Sequence, residues 1–168
     1  MPRKIQLRTA TEVDIPRIEM WAQEIDAGQY MSRHLPEQSD VLLWKIIIVD
    51  GTEAGTAWAE RKGGMPGVVF LGIFIGRSEL LGEGIGRTVV SDLIANVHAT
   101  AGDVSIRLNV RSGNMRAIAC YRQCGFVQIA SGEKVGTDGA LIQTMTMQYS
   151  PTVGPATTRS ANDRLGDP

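Results

Sequence analysis

The sequence predicts a mixed α/β fold, and three observations support this prediction. Several apolar stretches have the length of strands, as at residues 44–49 (WKIIIV) and 68–75 (VVFLGIFI). A longer stretch, residues 85–100, places apolar residues four positions apart, as one face of a helix does. The chain has 168 residues, of which 43% are hydrophobic and 21% are charged. This composition is that of a globular protein with one buried core.

The first forty residues predict one strand, one helix and an irregular segment. Residues 4–8 alternate apolar and polar side chains, which is the pattern of a short strand. Asp14 is predicted as the N-cap of a helix that carries Pro16 in its first turn. Residues 28–39 predict a loop or a short second helix.

Three strands are then predicted at residues 44–49, 53–61 and 68–75. The first two are joined by the dipeptide Asp50-Gly51, which is typical of a hairpin turn. The third is almost wholly apolar, and this predicts a central strand that is buried on both faces. Gly72 lies within it and is predicted to mark a bulge.

A strand, glycine-rich loop, helix and strand follow one another in the middle of the chain. The helix is predicted to end at Gly102, and residues 104–110 alternate in the period of a strand. Such a unit predicts a right-handed crossover between two parallel strands.

The last elements are a short helix and two strands. Asn114 is predicted to cap the helix and Gly125 to close it. Strands are expected at residues 126–130 and 140–149. Residues 150–168 are rich in Pro, Thr, Ser, Gly and Asp, so we expect a domain at residues 1–149 and a polar tail at 150–168.

Charge and cysteine content narrow the classes of function. The net charge is −1, so the sequence shows no basic stripe for nucleic acid or for an anionic membrane. Cys120 and Cys124 lie four residues apart, a spacing that suits neither a disulfide framework nor a four-ligand metal site. We find no signal peptide and no apolar run that could span a membrane, so a cytoplasmic protein is expected.

The loop before the long helix carries glycine at positions 82, 84 and 86. The first amides of a helix lack internal partners, and together with the helix dipole they can bind an anion. Neither the Walker pattern nor G-x-G-x-x-G is present. The three glycines alone are explained equally well by a tight strand-to-helix turn.

A second motif follows the next strand: Asn-x-x-Ala-x-x-x-Tyr-x-x-x-Gly-Phe, met at Asn114, Ala117, Tyr121, Gly125 and Phe126. With the glycine loop, it resembles the GNAT superfamily of N-acetyltransferases. Those proteins carry Gln/Arg-x-x-Gly-x-Gly/Ala in the loop, and this chain departs from that pattern at Leu81. The resemblance implies a mixed, mostly antiparallel sheet of about seven strands, with helices on both faces.

The resemblance also implies acetyl-CoA as co-substrate and no metal. The backbone of Phe74, Ile75 and Gly76 would face the pantetheine arm and the acetyl carbonyl. Asn114 and Ala117 would contact the cofactor further along the arm. The implied pyrophosphate loop consists of Gly82, Glu83, Gly84, Ile85, Gly86, Arg87 and Thr88.

Two residues are implied to act near the reacting atoms. Tyr121 would donate a proton to the leaving thiolate. Asn109 stands where some relatives carry a carboxylate, and because an amide cannot take a proton it would instead position a water or the amine. The general base is expected from another residue, and the sequence leaves four candidates open: Glu24, Asp26, His34 and Glu60.

The acceptor is expected to be a primary amine of a small molecule. The layout resembles aminoglycoside 6′-acetyltransferases, which makes an aminoglycoside-type antibiotic the first candidate. A protein N-terminus or lysine is the alternative acceptor, and a non-catalytic acyl-CoA-binding sensor is the alternative class. A deep acidic cleft would favour a polycation and an open groove a peptide. A homodimer is also expected, because dimers are common among relatives.

Overall fold

The computed structural model describes residues 2–29, 31–37, 40–136 and 138–151, and it forms one seven-stranded sheet with helices on both faces. The strands are β1 (Ile5–Thr9), β2 (Val41–Val49), β3 (Thr52–Arg61), β4 (Val68–Ile75), β5 (Ser105–Arg111), β6 (Phe126–Val135) and β7 (Leu141–Tyr149). The helices are α1 (Ile15–Glu24), α2 (Ile85–Ala101) and α3 (Met115–Gln123). The predicted tail, residues 150–168, lies outside the described residues apart from positions 150 and 151, so the boundary stays a prediction.

The sheet has the order β1-β2-β3-β4-β5-β7-β6, which confirms the central position predicted for β4. Neighbouring strands are antiparallel except β4 and β5, which are parallel as predicted. β4 and β5 pair only at residues 68–70 of β4, although both strands continue further. The two strands therefore diverge, and a gap opens in the middle of the sheet.

The two faces of the sheet carry separate cores. The predicted apolar face of α2 packs on one of them: Ile85, Val89, Leu93 and Val97 are all buried there. Helix α1 packs on the other face, where Trp21 lies with Ile46 and Phe74. Burying each such side chain stabilises the fold by about 1.5–3 kcal/mol. Two cores on opposite faces hold the diverging edges of β4 and β5 in place.

The prediction of a bulge at Gly72 is wrong. β3 and β4 pair in continuous register, and Gly72 lies opposite Trp58. A Cβ atom at position 72 would lie 2.1 Å from the Trp58 indole. The glycine therefore makes room for a buried ring rather than for an extra residue.

Asp14 is the N-cap of α1, as predicted, but its side chain forms no capping hydrogen bond with the helix. Its carboxylate instead accepts hydrogen bonds from Arg8 (2.7 Å) and from the amide of Thr11 (2.9 Å). These contacts stabilise a 3₁₀ turn, Glu12–Asp14, directly before α1. The guanidinium on the neighbouring strand is the stronger partner for the carboxylate.

The other helix ends agree with the sequence. Gly102 follows α2 with φ at 72°, and Gly125 follows α3 with φ at 96°. The Asn114 side chain accepts a hydrogen bond from the amide of Ala117 at 3.3 Å, as an N-cap does.

One loop and two strands differ from the sequence-based boundaries. Strand β2 begins at Val41, three residues before its predicted start. Residues 28–39 hold the end of a 3₁₀ turn, Ala27–Gln29, followed by irregular backbone as far as the structure describes it. Strand β6 runs on to Val135, five residues beyond its predicted end. Its second half is exposed and polar, and it is held by backbone pairing with β7.

None of the helices in the described ranges has both the length and the apolar character that a membrane span requires.

Candidate active site

Two cavities meet at the gap between β4 and β5, and Tyr121 lines both. The larger, of about 720 Å³, lies between the glycine loop, the end of β4 and α3. It has the size usual for ligand sites. Predicted cofactor residues that line it are Phe74, Ile75, Gly82, Glu83, Gly84, Ile85, Gly86, Arg87, Asn114, Ala117 and Tyr121.

The glycine loop turns sharply into α2. Gly82 and Gly84 have φ of 81° and 80°, a conformation that side chains other than glycine rarely adopt. Gly84 is the N-cap of α2 and provides no capping side chain, so the first amides of the helix remain available to an anion. Gly86 has a further role, because a Cβ there would lie 3.3 Å from the Cys120 sulfur. It allows α2 and α3 to approach each other.

Charged side chains around the loop are arranged so that an anion can enter. Glu83 is paired with Arg3 at 2.8 Å, which offsets its negative charge. Arg87 and Arg116 line the cavity. Thr88, also predicted to contact the pyrophosphate, donates its hydroxyl to the carbonyl of Gly84 at 3.4 Å and lies outside the lining.

The exposed edge of β4 directs amides into the gap. The amide of Gly76 donates to the carbonyl oxygen of Ala54 on β3 at 2.8 Å. Amides alternate in direction along a strand, so the amide of Phe74 also points to β3, whereas the amides of Ile73 and Ile75 point into the gap. An oxyanion in the gap could therefore accept hydrogen bonds from the amides of Ile73 and Ile75. The amide of Gly76 is already bonded to β3.

Tyr121 lies on α3 where the two cavities join. Its ring is half-buried and packs edge-on against Phe126, with centroids 6.1 Å apart. Burial raises the pKa of the phenol above its ordinary value of about 10. The hydroxyl is thus protonated at neutral pH and is a proton donor rather than a base.

The smaller cavity, of about 340 Å³, lies on the α1 face of the sheet. Trp58 and Glu60 of β3 form one wall, and Arg33 crosses it from the irregular loop. The Arg33 guanidinium lies 5.9 Å from the centroid of the Trp58 ring and is hydrogen-bonded to Glu60. The sequence identified Glu60 of this wall as a candidate base but not Trp58; the alternation of β3 places both side chains on one face.

Asn109 lines the smaller cavity near Tyr121. Its side-chain oxygen accepts a hydrogen bond from the Thr146 hydroxyl on β7 at 2.8 Å. The amide nitrogen and one oxygen lone pair remain to bind a water or an amine. The geometry thus suits a positioning role.

The four candidate bases are not brought together. Glu60 lines the smaller cavity, but its carboxylate already binds Arg33 and the amide of Glu37. Glu24 lines the larger cavity. His34 is hydrogen-bonded to Glu19 at 2.8 Å and lines neither cavity.

Asp26, the fourth candidate, also lines neither cavity. It accepts a hydrogen bond from Gln29 at 2.6 Å and has a φ of 50°. Of the four, only Glu24 and Glu60 are placed where a substrate could reach them.

The two cysteines are free thiols. Cys120 lines the larger cavity, and Cys124 hydrogen-bonds to the carbonyl of Arg87 at 3.8 Å. The hydrogen bond between the two thiols raises the pKa of Cys120. No group of three or more potential metal ligands occurs in the part of the chain that the structure describes.

Comparison with known protein families and solved structures identifies similar proteins. The profile of the Acetyltransferase (GNAT) family matches residues 8–126. No curated protein sequence matched. Aminoglycoside acetyltransferase AAC(6')-Ib, solved with coenzyme A and kanamycin, superimposes with a TM-score of 0.70 at 22% identity, covering 89% of this chain and 96% of that one.

Two further structures share the fold. Spermidine N-acetyltransferase from Vibrio cholerae, solved with coenzyme A and spermine, has a TM-score of 0.71 at 16% identity, covering 86% of this chain and 94% of that one. A protein provisionally described as a phosphinothricin N-acetyltransferase has a TM-score of 0.70 at 13% identity, covering 90% and 100%. The family match extends over more than half of the chain and includes the glycine loop and the Tyr121 motif. The chain therefore belongs to the Acetyltransferase (GNAT) family and is an N-acetyltransferase that uses acetyl-CoA.

Proposed function

We propose that this enzyme transfers the acetyl group of acetyl-CoA to the primary amine of a small molecule, by direct attack in a ternary complex. The observation that carries the proposal is the meeting of two cavities at Tyr121, one beside the glycine loop and α3 and one against the α1 face of the sheet. Two substrates can occupy the two cavities and meet in the gap between β4 and β5.

The larger cavity fits acetyl-CoA. Residues 82–87 offer main-chain amides to the pyrophosphate, and Arg87 and Arg116 add positive charge. Asn114 and Ala117 lie along the wall that leads to Tyr121. Acetyl-CoA supplies an acetyl thioester: a neutral amine forms the new C–N bond and loses one proton, while the C–S bond breaks and the sulfur leaves as a protonated thiol.

The residues around the gap fit the requirements of that reaction. The amides of Ile73 and Ile75 can hold negative charge on the acetyl oxygen. Tyr121 can give its proton to the sulfur, since its raised pKa keeps the phenol protonated. Asn109 can orient the amine or a water that takes the amine proton.

The smaller cavity supports a small acceptor. It is lined by the irregular loop and by the five strands β3 to β7, and its volume of about 340 Å³ is at the lower end for ligand sites. A cavity of this volume favours a small acceptor over a peptide. Its charge is predominantly positive, so the acidic cleft that would favour a polycationic aminoglycoside is not present in the described lining.

The test is thiol release from acetyl-CoA with a panel of amines and peptides. Release with small amines, with the acetylated product identified by mass spectrometry, would support the proposal. Release with peptides alone would favour acetylation of a protein N-terminus or lysine. Tight binding of coenzyme A without turnover on any amine would favour a sensor and would refute the proposal.

A further inference from the structure

The smaller cavity concentrates positive charge in a chain that is slightly acidic overall. The whole chain carries a net charge of −1. The acidic residues that line the cavity are Glu37 and Glu60. The basic residues that line it are Arg33, Arg61, Lys62, Arg111 and Lys134. Its lining thus has a net charge of three positive units, which repels a polycation and attracts an anion.

Two of these cations have an ionic partner. Both acidic residues of the cavity bind Arg33, and Arg61 has Asp40 at 3.8 Å. The other three, Lys62, Arg111 and Lys134, form no ion pair with any residue that the structure describes. Lys62 lies 5.8 Å from the centroid of the Phe70 ring, whereas the charges of Arg111 and Lys134 are left for a ligand.

Arg111 has an unsatisfied donor as well. Its Nε atom is buried and has no hydrogen-bond partner among the described residues. A buried donor without a partner is costly, so such groups in folded proteins usually find a partner in water or a ligand. A guanidinium presents Nε and a terminal nitrogen side by side, which matches the two oxygens of a carboxylate.

The register of the sheet brings Arg111 and Lys134 to the same face. Arg111 of β5 pairs with Thr144 of β7, and Thr144 pairs with Gly132 of β6. Lys134 is two residues beyond Gly132, so it points to the same side of the sheet. A Cβ atom at Gly132 would lie 3.3 Å from the Thr144 hydroxyl, so the short side chain of Thr144 lies between the two cations on this face.

The electrostatic coupling agrees with this geometry. Partial burial and the nearby charges of Arg111 and Arg33 lower the pKa of Lys134. Cations that repel each other at the wall of a cavity are stabilised when an anion binds between them. Asn109, two residues before Arg111 on the same strand, lies on the same face. The anion site therefore adjoins the gap.

Resting on the proposed function, we propose that the acceptor is a small amine that also carries a carboxylate, phosphate or similar anionic group. The anionic group binds between Arg111 and Lys134, and the amino group reaches past Asn109 towards Tyr121. A polycationic amine lacks the group that this wall recognises.

The test compares matched amines with and without the anion, using the full-length enzyme and thiol release. The pairs are 4-aminobutyrate with butylamine and phosphoethanolamine with ethanolamine; kanamycin and spermine serve as polycations. We expect kcat/KM to be at least about tenfold higher for the anionic member of a pair, which is the effect of one charge-assisted hydrogen bond. The two pairs distinguish a carboxylate from a phosphate.

Variants then locate the recognition. Arg111→Gln and Lys134→Gln should each lower kcat/KM for the anionic acceptor by about 10- to 100-fold. The preference for the anionic over the neutral member of each pair should fall with it, while the affinity for acetyl-CoA stays within about twofold. Lys4→Gln removes the same charge from an exposed position on the far edge of the sheet and is the matched control. Lys134 is exposed, so its variant is informative even if Arg111→Gln fails to fold.

The outcomes separate this inference from the proposed function. Equal transfer to both members of each pair, or a preference for kanamycin or spermine, would overturn the inference while the proposed function stands. Transfer to no small amine, despite acetyl-CoA binding, would overturn both. An anion preference that Arg111→Gln and Lys134→Gln leave unchanged would also overturn the assignment.

Discussion

Replacing Tyr121 by phenylalanine removes a single hydroxyl from the point where the two cavities meet. The ring packs against Phe126 with centroids 6.1 Å apart, and phenylalanine keeps this contact. The hydroxyl forms no hydrogen bond with another residue in the described ranges. We therefore expect the free energy of unfolding to change by less than about 1 kcal/mol.

The expected loss lies in turnover. A positioned general acid contributes about 10²- to 10⁴-fold to the rate. Because burial raises the pKa of Tyr121, the phenol is a weaker acid than usual, and we expect a value near the lower end, about 10²-fold in kcat. This corresponds to about 2.7 kcal/mol of transition-state stabilisation.

The assay is steady-state thiol release, with calorimetry for acetyl-CoA. The dissociation constant should stay within about twofold, while kcat falls. In the wild type, a raised phenol pKa means that the donor stays protonated up to pH 10 and above, so activity should not decline below that pH through loss of this proton. A fall in kcat of less than about fivefold, or an equal weakening of acetyl-CoA binding, would refute the role of Tyr121 as proton donor.

Three further predictions concern the fold around the site. Gly72→Ala should lower the free energy of unfolding by about 1–3 kcal/mol, because its Cβ would lie 2.1 Å from the Trp58 indole; denaturant unfolding measures this, and an unchanged midpoint would contradict it. Asn114→Ala should cost about 1 kcal/mol through loss of the cap, with Asn114→Ser recovering part of it. Hydrogen bonding to Arg8 lowers the pKa of Asp14 in the folded protein, so the ionised carboxylate adds stability above its ordinary pKa of about 4, and this stability is lost as pH falls through the lowered pKa. Asp14→Asn should therefore be less stable than the wild type at pH 7 and equally stable at the acid end. A difference in the free energy of unfolding that stays constant with pH would contradict this.

Local patterns predicted the elements around the larger cavity well. The apolar run of β4, the four-residue repeat of α2 and the cap at Asn114 are each set by a few neighbouring residues, and the structure has all three. The glycine loop and Tyr121 lie within one continuous stretch. They come together because one crossover, through α2, joins the parallel strands β4 and β5.

The smaller cavity, the proposed acceptor site, could not be predicted in the same way. Its wall draws Arg33 from a loop, Trp58 from β3, Arg111 from β5 and Lys134 from β6. These side chains meet only through the register of distant strands, which the sequence does not specify locally. The second half of β6, which carries Lys134, was missed because its side chains are polar and exposed and its pairing is through the backbone.

Single residues with two possible roles caused the remaining errors. Gly72 in a strand could have marked a bulge, but the close approach of Trp58 across the sheet explains it. Asp14 occupies the predicted N-cap position of α1, but its carboxylate binds Arg8 on β1 instead of the helix amides. In both cases the deciding partner is remote in sequence.

The most direct test of the central claim is to follow the backbone amide signals of the full-length protein by NMR as coenzyme A is added. We predict that the largest shifts occur at residues 82–87, where amides meet the pyrophosphate, and that adenosine, which lacks phosphates, leaves these signals nearly unchanged. If coenzyme A causes no shifts there, or if its largest shifts lie elsewhere, the glycine loop does not bind the cofactor and the account of the site is contradicted.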